Sequence, residues 1–252
     1  QESLLALERI AEQRDLLDFY QQAVAFQESG EYQAALVNLT EISVRSRGYR
    51  DVRTRITSSK RQQELDALFA EAEADYASGL YLEALSKYQQ IGALNVDYQA
   101  DLIADRLFDL YFALGRELIQ SDPPAPEMVP KALGYFTQAL SQRPRSGEAA
   151  LEQRLARLFL QGQHAYHQGY WDEAIAQLNA VYDQRPGYLG GVIVDMLYDS
   201  YIRSGEVQEK ADDLPMAYEQ YRKAASLPVA DKTLALGRMF AIAPNLTPTP
   251  TP

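Results

Sequence analysis

The two histidines of the chain, His164 and His167, lie close together in the stretch "HAYH". On a helix, this i, i+3 spacing places both imidazoles on one face, where they could supply two ligands to a metal ion. A metal site needs at least a third ligand, and the chain has no cysteine to provide one. The pair is more typical of a solvated helix face, so we expect neither a metal nor another cofactor.

Aspartates recur at every fourth residue from Asp97 to Asp109, and like charges at this spacing on one helix repel each other. We favour a lattice of salt bridges in which basic side chains of neighbouring helices neutralise the row. The alternative is an acidic wall that binds a cationic partner or a divalent ion. A catalytic pair is disfavoured because paired carboxylates need an enclosing pocket to separate their pKa values. The acids are Asp97, Asp101, Asp105, Asp109, Asp195 and Asp199, and the candidate cations are Arg50, Arg53, Arg55, Arg154 and Arg157.

A set of mostly aromatic residues occupies equivalent positions along the chain, and further rings follow one or two helical turns later. Two interpretations are open. The rings could form an aromatic trough for an apolar or proline-containing peptide, or they could be buried between helices. We favour burial, because apolar stripes at helical spacing usually face a core. The equivalent residues are Tyr20, Phe69, Phe112, Phe159 and Ile202, followed by Tyr76 and Tyr166.

Composition limits the classes of partner. The chain has 252 residues, 46% of them hydrophobic, which is enough for a sizeable core. Its net charge of −11 disfavours nucleic acid and anionic membrane surfaces, because proteins that bind phosphate backbones must supply cations. Basic or neutral partners are favoured, and no stretch is long and apolar enough for a spanning helix. We find no glycine-rich phosphate loop and no nucleophile elbow.

An internal repeat organises these residues. The stretches "GEYQAALVNL", "GLYLEALSKY" and "GYWDEAIAQL" share a glycine, an aromatic residue and an alanine at fixed offsets. Positions three before, four after and seven after the alanine are apolar throughout, which is the periodicity of an amphipathic helix. Trp171, the only tryptophan, is one of these repeat positions, so we expect it to pack within its own hairpin. The alanines are Ala35, Ala84, Ala132, Ala174 and Ala217, at intervals of 42 to 49 residues.

Each repeat is predicted to be a long helix followed by a short one. Small residues twelve positions before the alanines would allow the two helices to approach closely: Ala23, Ala72, Gly162 and Gly205, with Gly115 displaced by a proline-rich insertion at 121–130. The predicted long helices are 2–29, 49–78, 97–120, 146–168 and 188–211. The predicted short helices are 31–46, 81–94, 129–143, 171–184 and 214–227, with an eleventh helix at 230–242.

These columns of small, alanine, aromatic and proline residues resemble the tetratricopeptide repeat (TPR) family, although family repeats are only about 34 residues long. We interpret the extra residues as lengthened first helices. The resemblance implies an all-α fold, an α-solenoid of about five helical hairpins with a capping helix at its C-terminal end. It also implies a right-handed superhelix whose first helices line a concave groove.

The resemblance also suggests where a partner would bind. Family members that grip a peptide carboxylate carry Lys or Asn at two groove positions, and here the second of these is Val24, Glu73, Arg116, Gln163 or Glu206. That carboxylate clamp is absent. The candidate partner-binding residues in the groove are Tyr20, Phe69, Tyr76, Phe112, Arg116, Phe159, Tyr166, His167, Asp109 and Asp199.

We therefore expect a non-enzymatic scaffold that binds a protein or peptide, with residues 1–243 as the repeat domain and 244–252 as a Thr-Pro linker or tail. Such tails resemble the spacers of bacterial envelope and surface proteins. Together with the lack of cysteine, this suggests an extracytoplasmic module of a longer polypeptide. The alternative is a sensory or regulatory ectodomain of a membrane-anchored protein, to whose anchor the apolar pattern from Leu4 to Leu17 would lead. Self-association stays open.

Overall fold

The computed structural model describes residues 2–246, and within them the chain is all-helical. Long helices of 19 to 27 residues alternate with short helices of 12 to 14, as the repeat predicts. The long helices are α1 (Glu2–Glu28), α3 (Val52–Ala77), α5 (Ala100–Ile119), α7 (Gly147–Gln168) and α9 (Val192–Lys210). The short helices are α2 (Tyr32–Arg45), α4 (Tyr81–Leu94), α6 (Val129–Gln142), α8 (Trp171–Tyr182) and α10 (Leu214–Ser226), and α11 (Thr233–Ile242) follows.

The small residues of the long helices allow the short helices to pack closely. A Cβ atom added to Gly162 of α7 would lie 2.8 Å from Cγ of Leu178 on α8. At Gly205 of α9 the added Cβ would lie 2.5 Å from the ring of Tyr221 on α10. Both partners stand four residues after a repeat alanine, so the sequence columns correspond to the hairpin contacts. The five repeat alanines are fully buried, and the expected all-α repeat of helical hairpins is confirmed.

The chain forms two compact units, the first ending at Ile103 and the second beginning at Ala104. The core of the first hairpin includes Leu16 of α1 and Leu39 of α2, which are at most 1% exposed. The second unit has a larger continuous core that runs through α6 to α11 and includes Phe136 and Tyr221. The hand of the superhelix remains a prediction.

Three long helices begin later than the sequence predicts. We placed their starts at 49, 97 and 188, whereas α3, α5 and α9 begin at Val52, Ala100 and Val192. A non-glycine residue with positive φ stands one to three residues before each start and breaks the helical path: Arg50 (43°), Gln99 (47°) and Leu189 (53°). Consequently Asp97 lies outside the helix that carries the other aspartates of the ladder.

The proline-rich insertion before α6 packs against another irregular segment. Gly190 adopts a φ of +57°, and a Cβ added to it would lie 2.6 Å from Cγ of Pro124. Only a glycine has room here, because the pyrrolidine ring of Pro124 occupies the space that a side chain would need. The insertion therefore contributes to the packing of the second unit.

The C-terminal end of the described chain differs from the expected tail. Ala243–Asn245 forms a 3₁₀ turn directly after α11, so helical structure extends past residue 243, where we expect the linker or tail to begin. Residues 247–252, which carry the Thr-Pro repeats, lie outside the described residues. Between residues 2 and 246, no helix is both long and apolar enough to cross a membrane.

Candidate functional site

In the first unit, Tyr20 joins the first two long helices. Its hydroxyl donates to Oδ1 of Asp51 at 2.6 Å, and Arg55 of α3 contacts both groups, with Nε 3.1 Å from the Tyr20 hydroxyl and 3.0 Å from Oδ2 of Asp51. The hydrogen bond from Tyr20, with the nearby Arg55, lowers the pKa of Asp51 below its ordinary value despite partial desolvation. The structure thus uses Tyr20 to position a carboxylate and a guanidinium at the surface.

An exposed cation covers the same ring. The guanidinium of Arg50 lies 4.8 Å from the centre of the Tyr20 ring and 5.4 Å from that of Tyr49, within the range of cation–π attraction. These contacts accompany the left-handed backbone of Arg50. Tyr20 is half-buried beneath it, so this part of the predicted groove presents positive charge and little aromatic surface.

The other candidate rings of the first unit pack within the second hairpin. Phe69 is half-buried and lies edge-on to Tyr88 and Tyr98, with ring centres 6.1 and 5.9 Å away. Tyr76 lies 6.4 Å from Tyr81 at the start of α4. The hydroxyl of Tyr98 donates to Asp66 at 2.6 Å, and burial, with the Asp66 carboxylate, raises the pKa of Tyr98 to about 12.

In the second unit the aromatic column is also divided between surface and core. Phe159 is fully buried and packs 6.5 Å from Tyr188. Phe112 is half-buried between Phe108 and Phe136, while the exposed Arg116 lies over its outer face at 5.8 Å. Burial of Phe159 interrupts any continuous aromatic trough in this unit.

Three of the candidate residues do come together on α7 and α9. The hydroxyl of Tyr166 donates to Oδ2 of Asp199 at 2.9 Å, and Arg203 lies 3.4 Å from the other carboxylate oxygen. Burial, followed by the hydrogen bond to Asp199, raises the pKa of Tyr166. The exposed His167 stacks edge-on against Tyr166, and Trp171 contacts that ring from the start of α8. Trp171 therefore packs within its own hairpin.

The compensation of the acidic ladder differs from the lattice that we expected. Arg143, at the end of the short helix α6, lies 2.9 Å from Asp105 and 3.6 Å from Asp109, and its guanidinium stacks 4.2 Å above Phe108. Arg55, which we assigned to the ladder, binds Asp51 instead. The reason is geometric, because the end of α6 lies beside α5 within one hairpin. An open cleft of about 590 Å³ adjoins this cluster, lined by Phe108, Arg143, Pro144, Arg145, Ser146 and Glu148.

His164 and His167 are both exposed, and no cluster of three or more potential metal ligands occurs among the residues that the structure describes. Asp51 and Asp199 each accept a hydrogen bond from a tyrosine and pair with an arginine. What the arrangement can do chemically is present charge and hydrogen-bonding groups on the faces of long helices.

No protein-family model matches the chain, and no curated protein is significantly similar to it. Among solved structures, the chain is similar to a tetratricopeptide repeat protein from Parabacteroides merdae, with 14% sequence identity, a TM-score of 0.24, and coverage of 91% of this chain and 99% of the other.

It is also similar to YrrB, a TPR protein with an unusual peptide-binding site, at 19% identity, a TM-score of 0.23, and 92% and 95% coverage. A third similar structure is a thermophilic TPR protein from Thermus thermophilus, at 19% identity, a TM-score of 0.22, and 90% and 99% coverage. The repeat of helical hairpins is established by the chain's own contacts, such as that of Gly162 with Leu178.

The sequence reasoning missed a basic surface on the first unit. Seven of the 24 lysines and arginines lie between Arg45 and Arg61, where Asp51 is the only acid. Arg47, Arg53 and Lys60 are exposed. The net charge of −11 concealed this segment because it averages over the chain, and a charge count in short windows would have found it.

Proposed function

We propose that this chain is a non-enzymatic helical-repeat scaffold that binds a protein or peptide partner on the exposed faces of its long helices. The observation that carries the proposal is the order of charges along α3. Its first ten residues contain four cations and no acid, and the remaining sixteen contain five acids and no cation. The set is Arg53, Arg55, Lys60 and Arg61, followed by Glu64, Asp66, Glu71, Glu73 and Asp75.

This order is the reverse of what helix stability favours. The helix dipole favours acids near the N-terminus and cations near the C-terminus, by about 0.3–1 kcal/mol for each charge in the terminal turn. Arg53 stands in the first turn of α3, and Asp75 in its last. Asp75 is offset by Lys87 of α4 at 2.8 Å, whereas the cations that face solvent at Arg53 and Lys60 have no acidic partner in the described structure. Charges that oppose the dipole and point to solvent fit recognition better than folding.

The spacing brings these charges onto one face. Arg53, Thr57, Lys60 and Glu64 recur at intervals of four, three and four residues and are all exposed, so they line a single stripe along the helix. Its basic part, Arg53 to Arg61, spans only about 12 Å at 1.5 Å per residue. Acids follow immediately, and a long phosphate backbone would meet them. A polypeptide segment with a short acidic block fits this stripe, which revises our expectation of basic or neutral partners.

Selection of binding peptides from a random display library tests the proposal. We expect enriched sequences to carry acidic blocks and to lose binding to the double variant Arg53→Glu, Lys60→Glu. Lys131→Glu is the matched control, because Lys131 is exposed on α6 in the other unit. If no peptide is enriched, or if the enriched peptides bind the double variant as well as the native protein, the proposed surface is wrong.

We further propose that the chain is a module of a larger bacterial envelope or surface protein. The lack of cysteine and the Thr-Pro residues near the end of the chain support this context. Protease treatment of intact cells that express the natural polypeptide would test it, because an exposed module is cleaved while a cytosolic control protein survives. Cleavage only after lysis would contradict the proposal.

The alternative, a sensory or regulatory ectodomain, has support in one feature, the N-terminal part of α1. It is a helical extension with exposed leucines, suited to passing a change in the repeats to another segment. A ligand that alters the output of the natural protein, and not merely its location, would favour this alternative over a scaffold.

A further inference from the structure

Among the described residues 2–246, none covers the N-terminal half of α1, which forms a helical arm. Residues 3–15, which we call the α1 arm, are all exposed, and the first buried residue of α1 is Leu16. The short helix α2 has 14 residues against the 27 of α1, so it covers only part of the long helix. An isolated helix of this length is marginal in water and is usually stabilised by packing of an apolar face.

The α1 arm carries such a face. Leu4, Leu7 and Ile10 are 64–65% exposed and follow one another at three-residue intervals. At 100° per residue, they lie on the side opposite Leu16 and Ala23, through which α1 packs in its own hairpin. The apolar stripe therefore does not continue the intramolecular core. Contiguous exposed apolar surface of this kind typically marks an interaction site.

We propose that the α1 arm pairs with the α1 arm of a second copy of this chain, in an antiparallel two-fold arrangement. With the two-fold axis near residue 9, Leu7 of one copy meets Ile10 and Ala11 of the other. Leu4 of each copy extends the contact toward Arg14 of its partner. The apolar stripe covers itself, as an isologous interface requires.

The charges of the arm favour the antiparallel direction. In this arrangement, Arg14 of each copy lies within reach of Glu8 of the other, so the dimer contains two equivalent ion pairs. A parallel, in-register pair would place Arg14 opposite Arg14, Glu8 opposite Glu8 and Asp15 opposite Asp15. Like charges at an interface weaken the wrong arrangement and select the other.

Sedimentation equilibrium of the full chain over a hundredfold concentration range tests the pairing. We expect a monomer–dimer equilibrium that Leu7→Ser shifts fully to monomer, while Val44→Ser leaves it unchanged. Val44 is the matched control, being 77% exposed on α2 of the same unit. Helicity measured by circular dichroism should remain native in Val44→Ser, and Leu7→Ser should lose no more than the helicity of the α1 arm, because neither side chain belongs to the buried core of the single chain. A native chain that is monomeric throughout, or a dimer that survives Leu7→Ser, overturns the proposal.

Exchanging the charges of Arg14 and Glu8 tests the antiparallel pairing of the two arms. Arg14→Glu and Glu8→Arg should each weaken the dimer at least about tenfold, because each variant faces like charges twice. An equimolar mixture should form heterodimers, and the double variant Arg14→Glu, Glu8→Arg should recover the homodimer. Absence of recovery in both the mixture and the double variant contradicts the two-fold pairing.

The relative direction of the two arms in the dimer can be measured with spin labels. The chain has no cysteine, so a label attaches only to an introduced one. Spin labels on Ser3→Cys should lie about 20 Å apart or more in an antiparallel dimer and about 10 Å apart in a parallel one. The short distance would refute the antiparallel arrangement. Binding of monomeric native chain to neutral phosphatidylcholine vesicles, abolished by Leu7→Ser, would show instead that the stripe meets a lipid surface.

Discussion

Gly205 is a position where one added methyl group should destabilise the protein, even though it favours the helix. Gly205 lies inside α9, and a Cβ atom there would stand 2.5 Å from Cε1 of Tyr221 and 2.9 Å from two further ring carbons. The ring has no free direction in which to move, because Tyr221 is fully buried and its hydroxyl donates to Glu209 at 2.8 Å. Gly205→Ala therefore forces α9 and α10 apart.

Two opposing contributions determine how much Gly205→Ala changes the free energy of unfolding. Replacing glycine by alanine inside a helix contributes about 1 kcal/mol of stability. Overpacking a closely packed core costs about 1–3 kcal/mol, and the immobile ring of Tyr221 favours the upper part of that range. We expect a net loss of about 1–2 kcal/mol, which is a decrease in Tm of about 2–8 °C for a chain of this size.

Urea unfolding followed by circular dichroism measures the free energy of unfolding of Gly205→Ala, with Gly134→Ala as the control variant. Gly134 is exposed on α6 and an added Cβ meets nothing within 4 Å, so this control should gain about 1 kcal/mol from helix propensity alone. Gly115→Ala should behave like Gly205→Ala, because its Cβ would lie 2.5 Å from the ring of Phe136. If Gly205→Ala stabilises the chain as much as Gly134→Ala does, close approach of the hairpin helices is not what requires glycine.

Three further substitutions probe the polar contacts. The pKa of Tyr98 is raised to about 12 in the fold, so between pH 10 and 12 the unfolded chain loses this proton before the folded chain does. This difference should lower the free energy of unfolding by at most about 3 kcal/mol over that pH range. Tyr98→Phe should remove this part of the pH dependence, measured by urea unfolding. Arg185→Met should cost about 3 kcal/mol in the same assay, because it leaves the carboxylate of Glu152, only 4% exposed, without its partner at 2.6 Å; adding Glu152→Gln should recover most of the loss. Arg143→Gln should lower the free energy of unfolding by less than about 1 kcal/mol, and the difference should become smaller in 1 M salt, because the exposed ion pairs are screened while the contact with Phe108 is not.

The hairpins could be predicted because their contacts follow the helical period. Gly162 and Leu178 stand at fixed offsets from the same alanine, and the structure brings them into direct contact. The starts of α3, α5 and α9 could not be predicted in the same way. Arg50, Gln99 and Leu189 are residue types that rarely adopt positive φ, and contacts distant in sequence hold the neighbouring segments in place, such as Tyr98 with Asp66.

The sequence predicts candidate groove residues, and their role in binding stays a prediction. Their packing could not be predicted, because the members of the aromatic column differ in depth: Phe159 is fully buried and Phe69 only half-buried. Burial at each position depends on the neighbouring helix, which the periodicity of one helix does not reveal. The cation for Asp105 likewise came from the end of α6, because Arg143 is near it in space and 38 residues away in sequence.

The two proposed interactions of the first unit respond in opposite ways to salt. The basic stripe at Arg53 and Lys60 would attract an acidic segment through exposed charges, so its affinity should fall as ionic strength rises. Pairing through Leu7 and Ile10 depends mainly on apolar burial, and sulfate should strengthen it by increasing the cost of exposed apolar surface. The two surfaces lie on different helices, α1 and α3. A sulfate titration therefore separates them in one sample: peptide release with retained dimer supports both assignments, whereas simultaneous loss would mean that the peptide and the second copy share one charged surface.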